Sequence, residues 1–246
     1  MTKRFARFAV ALLVLTLVAV LVPGAVAQEE EIPRGGTVIV CGGPEGQWVR
    51  NFNPFSPNPL RGTTRFVYEP LLLFNPVEGG VATPWLATEY AYAEDLLSIT
   101  YALREGVKWS DGEDFDADDV VFTFNLFQEF PALDRNSVFE FTESVEKIDD
   151  FTVKFNLNKV YTQAHAIIGG VRGIVPEHIW SQLEDPVIFT NPDPVGTGPF
   201  ANVAHFSEEV FEYCRNEYYW QKGRPYVDCL LYPAYTGNDP AILSCY

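Results

Sequence analysis

The sequence predicts a mixed α/β fold of the α+β kind, and three observations support it. Several short segments alternate apolar and polar residues with the two-residue period of a half-buried strand. One longer segment, DFDADDVVFTFNLFQEF, places apolar residues at helical spacing behind an acidic cap. No strand–helix–strand unit repeats, which argues against a doubly wound parallel sheet.

The chain starts outside this fold. Lys3, Arg4 and Arg7 precede the uncharged run Phe8–Val22, and Ala25, Val26 and Ala27 offer small residues for cleavage, so residues 1–27 read as a signal peptide. The run is shorter than the ~20 residues of a membrane-spanning helix; an uncleaved anchor is the alternative. Residues 28–35 form a flexible leader. The β-branched run Thr37–Cys41 predicts a buried strand. A long segment follows, GGPEGQWVRNFNPFSPNPLRG, whose prolines, glycines and asparagines exclude regular structure although Trp48, Phe52 and Phe55 lie within it.

Helical spacing is expected over Thr64–Leu73, then a turn-rich stretch, VEGGVATPWLATEY. Leu97, Ile99, Tyr101 and Leu103 alternate with polar or small residues, as do Phe151, Val153, Phe155 and Leu157, and each set predicts a strand. Asp149 and Asp150 make a turn into the second. Between the two sets, Asp116 is a good N-cap, Asp118 and Asp119 suit the first turn of a helix, and Pro131 ends it. FANVAHF, EEVFEYCR and YVDCLLYPA read as further strands. GNDPAILSCY reads as a helix beginning at Asn238 or Asp239.

Composition narrows the function. Over 246 residues, 33 acids stand against 17 lysines and arginines, a net charge of -16. Such a balance opposes nucleic-acid binding, which needs cations to displace phosphate counterions. Cys41, Cys214, Cys229 and Cys245 are too few for a disulfide scaffold and form no zinc pattern. Cys214 and Cys229 fall on expected neighbouring strands and can pair after export; a reduced, buried pair is the default.

No nucleophile–base motif or metal-binding helix is present, and there are three histidines. His178 suits an exposed helix start. The acidic cluster Asp111–Asp119 lacks the order of a calcium loop, and capping accounts for it. PVGTGPF has the glycine spacing of a phosphate loop, but no lysine follows and no helix opens. It reads instead as a close crossing of two backbones. No catalytic residue, cofactor or metal is therefore expected. Trp48, Phe55, Tyr68 and Trp85 lie in or beside irregular segments, where they can either stack on a ligand or anchor a loop.

Taken together, these stretches resemble the extracellular solute-binding proteins of family 5, the peptide- and oligosaccharide-binding subunits of ABC importers. YEPLLLFNP with PWLATEY, LREGVKWSDGEDFDADDVVFTFNLF, IVPEHIW, PVGTGPF and NEYYWQKGRPYVD match family blocks in order. The resemblance implies a two-lobed, periplasmic-binding-protein-like fold with the ligand enclosed between lobes. Residues 36–67 and 190–246 would form an incomplete first lobe, and 68–189 an inserted subdomain. Family members run much longer than this chain, so a truncated product lacking the second lobe is expected.

NFNPFSPN and NPDPVGTGPF are similar to the branch that binds β-linked oligosaccharides such as cellobiose. On that resemblance Trp48 and Trp85 would face sugar rings, and Asn51, Asn53 and Asn58 would bond hydroxyls. Phe55 and Tyr68 complete the expected ligand-binding set. An oligosaccharide is favoured over an oligopeptide. The other implied partner is the importer's membrane permease, engaged by a monomer without nucleic acid. The product would be exported to the periplasm or cell surface, with no lipobox cysteine. A secreted carbohydrate-active enzyme, or a non-functional remnant, is the alternative.

Overall fold

The computed structural model describes residues 32–41, 46–171, 173–235 and 237. The expected signal peptide and the helix expected from Asn238 or Asp239 lie outside the described residues. The elements below belong to one compact unit, Arg34–Tyr246.

The described residues form two four-stranded sheets and a hairpin. The first sheet has the order β1 (Thr37–Ile39), β10 (Cys229–Pro233), β9 (Val210–Cys214), β8 (Asn202–Phe206), with β1 parallel to β10 and the rest antiparallel. The second is antiparallel throughout, in the order β4 (Ala87–Tyr92), β5 (Ser98–Leu103), β7 (Thr152–Leu157), β6 (Thr142–Asp149). Strands β2 (Leu72–Asn75) and β3 (Val81–Pro84) pair as a separate hairpin.

The alternating segments form strands as read, except at their first positions: Leu97 lies outside β5 and is exposed, and Phe151 lies outside β7, half-buried. Ile99, Tyr101 and Leu103 on β5, and Val153, Phe155 and Leu157 on β7, turn inward. Helix α1 (Ala117–Glu129) covers them: Phe124 meets Phe155 edge-on with ring centroids 4.7 Å apart. Its start is a reciprocal cap, in which Asp118 N donates to Asp116 Oδ1 at 2.8 Å and Asp116 N to Asp119 Oδ2 at 3.3 Å. Asp119 is itself buried. It accepts from Trp109 Nε1 at 3.0 Å and from the backbone of Glu177, where the one-turn helix α3 (Glu177–Trp180) begins after the short α2 (Ala164–Gly169). His178 sits at that helix start with Nε2 2.8 Å from Asp111.

The long irregular loop ties the first sheet to helices α1 and α3 through its aromatic residues. Trp48 packs edge-on against Phe211 and Phe52 against Tyr213 of the first sheet, whereas Phe55 inserts between Phe127 and Trp180 beside α1.

Four expectations fail, each for a physical reason. Strand β1 is an exposed edge, not a buried strand: Val38 and Ile39 are 43% and 51% exposed, and among the described strands β1 has a partner on one side only. Thr64–Leu73 is not a helix. Arg65 sits at φ 81°, Thr64 is extended, and the chain runs on into β2. The stretch thought turn-rich holds β3 and β4, whose short pairings its glycines and prolines disguise. Cys214 and Cys229 are disulfide-bonded rather than reduced, because β9 and β10 place them directly opposite with Cα atoms 4.1 Å apart.

Within the expected leader, Arg34 and Gly35 are held: Arg34 Nη1 donates to Gly223 O at 2.7 Å and Gly35 N to Tyr226 O at 2.8 Å.

Candidate functional site

A cleft of about 590 Å³ opens between the β2–β3 hairpin and the loop joining β9 to β10. The turn Thr63–Val67 contributes Arg65 and Phe66, the hairpin Phe74, Asn75 and Thr83, and the short link between β3 and β4 contributes Trp85. Opposite them stand Tyr219, Gln221, Arg224 and Tyr226. This is the usual composition of a ligand cleft, with aromatic surface and a few polar groups.

Beneath the aromatic wall lies Glu69, fully buried and without an ion pair among the described residues. Its Oε1 accepts from Trp85 Nε1 at 2.7 Å and from Tyr219 Oη at 3.3 Å, and its Oε2 from Trp220 Nε1 at 3.1 Å. One carboxylate thus fixes three rings from two distant parts of the chain. Trp85 and Trp220 meet edge-on at 5.3 Å, and Arg104 locks both: its guanidinium lies 4.2 Å from the Trp220 ring centre while Nε donates to Trp85 O at 2.8 Å. Burial pushes the Glu69 carboxyl up to about 7, against the downward pull of the indole and phenol donors.

PVGTGPF braces the first wall from behind and adds Pro199 to the lining. Gly198 N donates to Val67 O at 2.9 Å and Phe200 N to Phe66 O at 3.0 Å, so this segment holds the turn bearing Arg65 and Phe66. A Cβ on Gly196 would fall 2.1 Å from Val67 O, and one on Gly198 2.3 Å from Phe66 O. The glycines serve a close backbone crossing, as the sequence suggested; neither needs positive φ.

The expected ligand-binding residues do not come together in this cleft. Trp85 lines it, half-buried. Trp48, Asn53, Phe55 and Tyr68 are buried elsewhere in the interior. Asn53 Nδ2 donates to Pro186 O and Phe189 O at 3.0 and 2.8 Å, and Asn191 Nδ2 donates to Tyr68 Oη at 2.6 Å. Asn51 folds back on its own loop, donating to Ser56 Oγ at 2.9 Å, and Asn58 is exposed there. Sequence reading passed over Glu69, Tyr219 and Trp220. One signal was available, since Glu69 is the only charged residue between Arg65 and Glu78, inside the apolar run RFVYEPLLLF.

Comparison with known proteins matches residues 81–244 to the family described as bacterial extracellular solute-binding proteins, family 5 Middle. Heme-binding protein A of Haemophilus influenzae is 33% identical over 169 residues, covering 60% of this chain and 31% of that protein. An oligopeptide ABC transporter's periplasmic oligopeptide-binding protein from Thermotoga maritima superposes with a TM-score of 0.77 at 29% identity, over 84% of this chain and 39% of that one. Its mannohexaose-bound structure gives 0.76 at 28%, over 86% and 40%. The chain therefore spans about a third to two fifths of the length of the relatives it matches. The mixed α/β architecture is that of the periplasmic binding proteins.

Proposed function

We propose, from the premise that this chain belongs to the bacterial extracellular solute-binding proteins of family 5, that it takes part in capturing an oligosaccharide for an ABC importer. The observation behind this is the aromatic wall fixed by Glu69. Trp85 and Tyr219 are held by hydrogen bonds to a buried carboxylate, so no ring freedom is lost when a flat ligand face stacks on them. Asn75, Thr83 and Gln221 stand around the same cleft as partners for hydroxyls. That a similar protein named for oligopeptides has been solved with mannohexaose supports sugar as the ligand class.

In this reading the receptor is an exported, non-catalytic monomer, and the fold lies in the first lobe and its inserted subdomain, 36–67 with 190–246 and 68–189. Ligand contacts select a closed state that the permease recognises. Asn58, exposed on the long loop, offers a second polar contact.

Calorimetry and tryptophan fluorescence on the whole chain, with cello- and manno-oligosaccharides and short peptides, test the proposal. Saturable sugar binding is expected, weakened roughly tenfold by Trp85→Ala. Binding of peptides alone would replace the oligosaccharide reading, and hydrolysis of labelled sugar would turn it into the enzyme alternative.

A further inference from the structure

The cleft has a charge opposite to that of its chain. Acids outnumber bases by 33 to 17 in the sequence, yet the charged residues lining the cleft are Arg65 and Arg224, with no Asp or Glu among the described lining residues. We propose that the oligosaccharide it takes carries carboxylate groups, an acidic sugar rather than a neutral one; this rests on the oligosaccharide reading above.

Arg65 is exposed, makes no ion pair among the described residues, and sits at φ 81°, in the left-handed region that residues with a Cβ rarely adopt. The turn is held in that shape from both sides: Arg65 N donates to Tyr68 O at 2.6 Å, and the PVGTGPF crossing bonds Phe66 and Val67. A strained backbone that is braced in this way aims a side chain. Across the cleft, the Arg224 guanidinium lies 5.3 Å from the Tyr226 ring centre, so stacking limits its freedom too.

A guanidinium is a planar fork of donors that matches a carboxylate two bonds at a time, and aromatic faces between two such forks suit the rings that join the carboxylates. A neutral sugar would leave both arginines facing the cleft with nothing to bond but water or hydroxyls.

The test titrates the full chain with cellohexaose and with its fully carboxylated counterpart, an oligoglucuronate of the same length and linkage, beside an acidic hexapeptide. The carboxylated sugar is expected to bind at least about tenfold more tightly than cellohexaose. Arg65→Gln with Arg224→Gln should bring that ratio close to one, whereas Lys159→Gln, an exposed cation outside the cleft, should leave it unchanged. Because all three side chains are exposed, circular dichroism should show the variants folded. Equal binding of the two sugars, or a ratio that the arginine substitutions do not move, overturns the acidic-sugar inference and leaves the oligosaccharide reading standing. Binding of the peptide but neither sugar, or of nothing at all, overturns both.

Discussion

At the residue scale the decisive group is Glu69. Its folded-state carboxyl titrates near 7 because burial penalises the charged form more than three ring donors favour it. In the unfolded chain it ionises near the ordinary 4.5, so the folded state keeps its proton to higher pH. Between those values unfolding releases a proton, and stability falls as pH rises through the window, by up to about 3 kcal/mol, then levels off. Asp119, raised to about 6 by burial, adds a slope of the same sign, so the contribution of Glu69 is read as a difference between variants. Urea denaturation at pH 4.5 and 7.5 should show Glu69→Gln losing about 3 kcal/mol of the pH-dependent change. An unaltered slope would mean the carboxylate is already ionised in its pocket. The glutamine would also turn an amide toward indole N–H donors, costing about 1–3 kcal/mol at acid pH. Trp85 could be picked out from sequence because it interrupts a turn-rich stretch. The cluster it joins could not, since Tyr219 and Trp220, which share Glu69 with it, lie more than a hundred residues away.

At the scale of elements, legibility followed amphipathicity. Strands β5 and β7 and helix α1 each bury one face and leave the other wet, so their periods survive in the sequence. The stretch Val67–Leu72 is buried on every side, its one acid Glu69 included, so it has no polar face from which a period could be read. Strand β6 escaped for the opposite reason: an edge strand with charged residues at half of its positions, it turns only Thr142 and Val145 fully inward. PVGTGPF was legible through chemistry, since what it lacked excluded phosphate and left a close crossing. That crossing makes a sharp prediction. In Gly196→Ala the new methyl would overlap Val67 O, so either the crossing opens or the turn bearing Arg65 shifts. Thermal or urea unfolding should show a loss of roughly 2–4 kcal/mol. A variant as stable as the parent would mean the two backbones can separate freely.

At the scale of the molecule, one covalent link joins the fold to the cleft. The Cys214–Cys229 disulfide closes the ends of β9 and β10, and the chain between them supplies Tyr219, Gln221, Arg224 and Tyr226 to one wall and Trp220 to the Glu69 cluster. The sequence offered this pair on neighbouring strands but left it reduced by default, because two cysteines fifteen residues apart become partners only once strand register sets them opposite each other. Such a bond persists in oxidising compartments, in keeping with a family of extracellular proteins. Two effects follow from cutting it. Loop closure over 15 residues restricts the unfolded chain, so Cys214→Ser with Cys229→Ser should lower stability by about 3 kcal/mol. The same loop would then be ordered by the Glu69 and Arg34 contacts without its covalent base, and part of that ordering would fall to the ligand. On the oligosaccharide proposal, affinity for the sugar should therefore drop in the double variant even at temperatures where it remains fully folded, and the loss should appear in the binding entropy. An affinity that stays at the parent value while the unfolding midpoint falls would show that the β9–β10 ladder alone sets the wall, with the disulfide acting only on the unfolded state.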